Sequence, residues 1–178
     1  RTVAQALSSL QLSTLELHGD GIGPLGGLAL AHALATNGGL TELDLGNNHI
    51  GGDGARVLAA ALGMNSTLTT LQLGNNAIGP EGAAAIGASL ASNSSVTLLH
   101  LGQNSFGDSG ARALAEALMT NSSLTQLDLR SNEIGDGSAK AIAGVITTNS
   151  TLAMLCLDGN RIGDEGAKWL ARGLAVNS

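Results

Sequence analysis

Leu40-Thr41-Glu42-Leu43-Asp44-Leu45-Gly46-Asn47-Asn48-His49-Ile50-Gly51 returns further along the chain as Leu124-Thr125-Gln126-Leu127-Asp128-Leu129-Arg130-Ser131-Asn132-Glu133-Ile134-Gly135. Working outward from these two stretches, six copies emerge, opening at Leu12, Leu40, Leu68, Val96, Leu124 and Leu152, each 28 residues after the last. After the shared Leu-x-x-Leu-x-Leu-x-x-Asn-x-Ile-Gly comes a stretch close to x-x-Gly-Ala-x-x-Leu-Ala-x-x-Leu-x-x-Asn. A fixed period of about 20 to 50 residues is the mark of a solenoid, in which each unit buries its apolar face against its neighbours. The whole of 1–178 therefore reads as one array. Residues 1–11, with Val3, Leu7 and Leu10 at helical spacing, read as a partial repeat, the tail of a preceding helix.

One copy gives the local structure. The alternation Leu43-Asp44-Leu45 is a short strand with one face inward and one outward. Asn47-Asn48-His49 is a turn. Ala55, Leu58, Ala59 and Leu62 recur at steps of three and four and form one helical stripe. Asp53 stands at the start of that helix, where a carboxylate suits free backbone amides. Asn65-Ser66-Thr67 closes it. Each repeat is thus strand, turn, helix, turn, and successive strands run parallel. Helices need about 10 Å between neighbours and strands about 4.8 Å, which bends the array with its strands inside. The expected fold is an α/β horseshoe segment, with a parallel sheet on the concave face and helices on the convex face. The asparagine at the ninth position (Asn48, Asn76, Asn104, Asn132, Asn160; Asp20 in the first copy) is expected to bond turn groups that the short strand leaves open.

Composition narrows the partners. Eight basic against fourteen acidic residues give a net charge of -6, which argues against a general grip on nucleic acid or an anionic membrane. It favours a protein partner with a basic patch. Aromatics are nearly absent, with only Phe106 and Trp169. A single cysteine, Cys156, allows no internal disulfide and points to a reducing, cytoplasmic setting. No apolar run is long enough to span a bilayer and no leader is visible. The chain opens on Arg1 and reads as a piece of a longer protein. Apolar end repeats make end-to-end self-association a further expectation.

On the concave face the outward strand residues form columns. One runs Glu16, Asp44, Gln72, His100, Asp128, Cys156; the next His18, Gly46, Gly74, Gly102, Arg130, Asp158; a third Thr14, Glu42, Thr70, Leu98, Gln126, Met154. Five acids here (Glu16, Glu42, Asp44, Asp128, Asp158) face one base, Arg130. The candidate partner-binding residues are Glu16, His18, Glu42, Asp44, Gln72, Leu98, His100, Asp128, Arg130 and Asp158. Leu98, Ala153, Met154 and Cys156 place apolar groups where water would otherwise sit, as a contact spot or as an end that further repeats cover.

Other chemistry finds little support. His100, Asp128 and Cys156 share a column, but two strand spacings put His100 about 10 Å from Cys156, beyond the reach a nucleophile and its base need. His100 beside Asp128 reads instead as a surface pair. Glu16, His18 and Asp44 lack metal-ligand spacing. No catalytic residue, metal or cofactor is assigned, and the chain is expected to bind rather than catalyse. The Asn-x-Ser/Thr sequences at Asn65, Asn93, Asn121 and Asn149 follow the period and are read as structural helix ends. The recurring Gly-x-x-Gly-Ala stretches lack the Lys-Ser/Thr of a phosphate loop and serve tight turns. Trp169 on the last helix is expected to be partly exposed or packed against a missing neighbour, with Leu170 and Leu174 turned inward; a convex-side binding role for it is the weaker reading beside the sheet face.

Residues 40–51 and 124–135 closely resemble the ribonuclease-inhibitor-like class of leucine-rich repeats, and the resemblance runs from Leu12 to Ser178. The uniform copies are similar to the repeat domains of NOD-like receptors and of Ran GTPase-activating proteins. Ribonuclease inhibitor itself alternates two repeat lengths and is rich in cysteine, so ribonuclease inhibition does not carry over. What the resemblance implies is a protein-interaction scaffold within a larger cytosolic protein such as a NOD-like receptor. The alternatives are a GTPase activator, or a microbial effector made of repeats.

Overall fold

The computed structural model describes residues 12–177. The partial repeat expected at 1–11 lies outside them. Among the described residues, strands β1 (Thr14–Glu16), β2 (Glu42–Asp44), β3 (Thr70–Gln72), β4 (Leu98–His100), β5 (Gln126–Asp128) and β6 (Met154–Cys156) alternate with helices. The helices are α1 (Pro24–Thr36), α2 (Gly51–Met64), α3 (Gly79–Leu90), α4 (Gly107–Leu118), α5 (Asp136–Thr148) and α6 (Asp164–Leu174). The strands form one parallel sheet in the order β1-β2-β3-β4-β5-β6. Each strand starts one residue before the Leu43-Asp44-Leu45 alternation predicts, because the ladder bonds begin at Glu42.

The period sets the register. Leu15 pairs with Leu43, Leu43 with Leu71, and so on to Leu155, always 28 residues apart. Leu43, Leu71, Leu99 and Leu127 point inward and are buried, with Leu45, Leu73, Leu101 and Leu129 beside them. From the other side the helices add Leu58, Leu62, Ile86, Leu90, Leu114, Leu118 and Ile142. The core is a strip between sheet and helices, complete in the middle and thinner at both ends. Leu12, Leu15, Leu17 and Ile22 are only partly buried, and so are Leu152, Leu155, Leu157, Ile162 and Leu170 at the other end. Leu174, expected inward, is 62% exposed, because no later helix packs over it among the described residues.

Small residues let each helix start close to its own turn. A Cβ on Gly54 would lie 2.5 Å from Ile50 Cγ2, and one on Gly110 would lie 2.7 Å from Phe106 Cβ. Phe106 replaces the usual isoleucine and is fully buried, so the larger ring is accommodated by the bare backbone at Gly110.

Two ladders of asparagine bind the copies together. The ninth-position residues behave as expected. Asn104 Nδ2 donates to the carbonyls of Leu73, Leu101 and Gly102, and its Oδ1 accepts the amides of Asn76 and Ile78. The second ladder lies at the helix ends. Asn93 Nδ2 donates to the carbonyls of Leu62 and Asn65 in the previous copy, and its Oδ1 accepts the amides of Ser95 and Val96. Asn65, Asn93 and Asn121 are buried. Their side-chain amides are engaged inside the fold, which accounts physically for the periodic Asn-x-Ser/Thr sequences.

The helix starts differ from expectation. The α2 helix begins at Gly51, two residues before Asp53, and the Asp53 carboxylate bonds Arg56 at 2.9 Å instead of capping backbone amides. Where a carboxylate does cap, it serves the following repeat. Asp108 Oδ1 accepts the Gly135 amide and the Ser138 hydroxyl, and Asp136 Oδ1 accepts the amides of Gly163 and Gly166.

Candidate functional site

The concave sheet face carries the expected columns in the expected register. Glu16, Asp44, Gln72, His100, Asp128 and Cys156 are successive pairing partners, as are Thr14, Glu42, Thr70, Leu98, Gln126 and Met154. Beyond the strand ends the backbone stays in step, with the amides of Asn47, Asn75 and Gln103 donating to the carbonyls of Gly74, Gly102 and Arg130. Here three successive residues, Gly46, Gly74 and Gly102, lack a side chain. The result is a trough of about 380 Å³. Gln72, His100 and Asp128 stand on one side of it, and Asn47, Gln103 and Ser131 on the other. His18 and Asp44 close one end, and Arg130 and Asp158 the other.

The charges at the two ends are arranged differently. His18 Nδ1 lies 3.5 Å from Asp44 Oδ2, and Asp44 Oδ1 accepts the Gly46 amide at 2.8 Å. His18 Nε2 meets Asn47 Nδ2 at 2.6 Å, and Asn75 Nδ2 donates onward to Asn47 Oδ1. At the far end Arg130 folds back onto Asp128, its Nε 3.0 Å from both carboxylate oxygens and its Nη2 2.6 Å from Oδ2. The Arg130 amide also donates to Asp128 Oδ1. Burial pushes the Asp128 pKa up, but hydrogen bonds from the Arg130 side chain and amide outweigh it, helped by the charges of Arg130 and His100, and the carboxyl ends below its ordinary value. The side-chain bonds to Asp128, with its charge, raise the Arg130 pKa.

These contacts redistribute the expected acidic strip. Asp128 lies on its column but is buried beneath Arg130, and its charge is matched within the chain. Its ion-pair partner is Arg130, while His100, the neighbour that the sequence suggested, acts on it through its charge. Asp158, 72% exposed, is 3.9 Å from Arg130 Nε, and Glu16 and Glu42 stand exposed on β1 and β2. Gln72, Leu98 and His100 are half-buried between them. The exposed outward acids are therefore Glu16 and Glu42 at the first strands and Asp158 at the far end. The wrapping of Arg130 onto a residue two positions away was not foreseen. Its signal was the pair of opposite charges at 128 and 130, one facing the sheet column and one the glycine column.

His100 and Cys156 are separated by the whole of β5, so the register keeps these two side chains apart. Among the described residues no group of three His, Cys, Asp or Glu converges to hold a metal ion. No helix among them is long and apolar enough to cross a membrane. Trp169 is half-buried, as expected, under two cations, Lys140 and Arg172.

Comparison with known proteins agrees with this architecture. A family model described as leucine-rich repeat matches residues 40–59, 65–87, 92–115, 120–143 and 148–171. No curated protein matches the chain by sequence. Among solved structures, leiomodin-1 actin-binding site 2 is similar, with 23% identity over 83% of this chain and 86% of that one and a TM-score of 0.68. The tropomodulin C-terminal domain from Caenorhabditis elegans aligns with 99% of this chain and 93% of its own, at 14% identity and a TM-score of 0.66. TLR13 in its complex with ssRNA13 matches 92% of this chain, at 24% identity and a TM-score of 0.56, but only 22% of the receptor chain is covered. At these identities the likeness is one of fold.

Proposed function

Because the chain belongs to the leucine-rich repeat family, we propose that it works as a protein-binding module, without catalysis, and that its partner lies along the concave sheet face. One observation carries this reading. Inward strand positions 15, 43, 71, 99, 127 and 155 are leucine in every copy, whereas the outward positions 16, 44, 72, 100, 128 and 156 hold Glu, Asp, Gln, His, Asp and Cys. A constant core presents a non-repeating set of side chains about 4.8 Å apart on a rigid sheet, as specific recognition of one partner requires. The glycine-floored trough beside it gives a protruding segment of that partner a place to enter. Exposed Glu16 and Glu42 suit a partner with a basic patch.

Affinity capture from lysate, read by mass spectrometry, tests this. The native chain is run beside a Glu16→Lys, Glu42→Lys variant and a Gly74→Phe variant. A protein held by the native chain and lost from both folded variants assigns the partner to this face. Equal capture by all three overturns the reading.

Narrower readings follow from the same surface. The uniform copies support the repeat domain of a NOD-like receptor within a larger cytosolic protein. The GTPase-activator reading predicts faster GTP hydrolysis by a small GTPase, and no acceleration with any candidate GTPase removes it. The similarity in fold to leiomodin-1 actin-binding site 2, most of which is matched, supports actin as the first named partner to assay.

A further inference from the structure

We infer that the convex side of the last two repeats carries a second docking surface, built around Trp169, that takes a short acidic segment of a protein partner. It is independent of the sheet face, since Trp169, Lys140 and Arg172 all belong to α5 and α6.

The fold does not need a ring at this position. The five equivalent residues are Ala29, Val57, Ala85, Ala113 and Ala141, and the helices pack with those small side chains. Trp169 instead lies at the seam between α5 and α6, half-buried, with Lys140 Nζ 5.3 Å and Arg172 Cζ 4.8 Å from its ring centroid. Both cations are exposed. The chain bears fourteen acidic residues, and neighbouring bases find them: Arg161 pairs with Glu133, and Lys168 with Glu165. Lys140 and Arg172 pair with no carboxylate among the described residues; their contact is the ring. The ring gathers two positive charges side by side on a chain of net charge -6, with both cations exposed to solvent.

Charge complementarity then selects the occupant. Two neighbouring cations beside an aromatic ring match two carboxylates on an extended segment, whose stems or neighbouring side chains can lie against the half-buried ring. A long polyanion such as a membrane surface or a nucleic acid needs a broad basic field, and a chain of net charge -6 opposes one.

Trp169 is the only tryptophan, so its emission reports this surface alone. The full chain is titrated at low salt with an eight-residue Asp/Glu peptide. Parallel titrations use phosphatidylserine vesicles and single-stranded DNA. The expected result is a saturable change in emission with the acidic peptide, reversed by salt, and still present in the Gly74→Phe chain. In a Lys140→Ala, Arg172→Ala variant, with unfolding unchanged because both side chains are exposed, affinity drops at least about tenfold. Flat emission overturns the proposal. So does equal affinity in the double variant, or a response to vesicles or DNA with none to the peptide.

Discussion

Asp108 starts a helix that is not its own: its Oδ1 accepts the Ser138 hydroxyl at 2.7 Å, thirty residues further on and one repeat away. The same oxygen takes the Gly135 amide at 2.8 Å, so one carboxylate closes the first turn of α5 from the α4 side. Asp136 repeats the arrangement for α6. Cap loss and repeat–repeat coupling therefore coincide at these two residues. Asp108→Ala is expected to cost about 1–2 kcal/mol, as the loss of an N-cap does. Asp53→Ala, which removes only an exposed pair with Arg56, should stay within about 0.5 kcal/mol. Urea unfolding followed by circular dichroism distinguishes the two.

Acid should act on the same contact. Burial pushes the Asp108 pKa up, but bonds from the Ser138 hydroxyl and the Gly135 and Ser138 amides, with Arg112 nearby, bring it below its ordinary value. A carboxyl whose folded pKa is depressed contributes stability that is complete above the unfolded value, about 3.9, and is lost as pH falls through the folded one. Asp128, also depressed, follows the same sign. The expected outcome is a melting temperature that declines below about pH 4, with a smaller decline in Asp108→Asn, which has no proton to gain. Melts between neutral and acid pH in both chains measure it.

The ninth-position ladder predicts a gradient along the array. Asn104 is fully buried and makes five side-chain bonds to backbone groups. Asn160 is half-buried at the last turn and makes four. Removing a buried partner leaves orphaned groups at about 1–3 kcal/mol each before water or relaxation repairs them. Asn104→Ala should therefore cost more than about 2 kcal/mol, and Asn160→Ala distinctly less because water reaches its site. Comparing their urea midpoints is the check, and an equal loss would mean the ladder is not graded by burial.

Much of this was legible because one period controls both register and face. Once Leu43 and Leu71 are known to be equivalent, the neighbours of Asp44 on the sheet follow from subtraction, and so do the glycines of the trough. The ninth-position asparagine ladder was legible for the same reason, and the helix-end asparagines as structural residues, though not their bonds to the previous copy. What escaped the sequence is where equivalence breaks. A carboxylate in the first turn of a helix reads as a cap for that helix. The helices begin early enough that Asp108 and Asp136 face the next turn instead. Asp128 and Asp44 share a column, yet an arginine two positions on covers and pairs with the first, whereas a glycine follows the second and leaves it half-buried beside His18. Trp169 is the one ring in a column otherwise of alanine and valine, and no periodic pattern could supply its two cations.

The trough offers the most direct separation of binding from folding. A Cβ added at Gly46 would lie 2.8 Å from His18 Nδ1 and disturb the Asp44 end, so that glycine is a poor probe. At Gly74 the nearest atom is the Gly102 carbonyl oxygen at 3.5 Å, an ordinary contact. Its backbone does not need glycine, since His18, Arg130 and Asp158 occupy the same column with full side chains. Replacing glycine where the conformation permits also reduces the freedom of the unfolded chain, worth about 0.4–1 kcal/mol. Gly74→Phe is thus expected to fold at least as stably as the native protein while filling the middle of the trough. Its thermal unfolding should match or slightly exceed the native curve, and capture of the concave-face partner should fall. A destabilised Gly74→Phe would show that the column is more crowded than the geometry allows. A stable variant that still captures the partner would move the contact off the trough and onto the strand columns themselves.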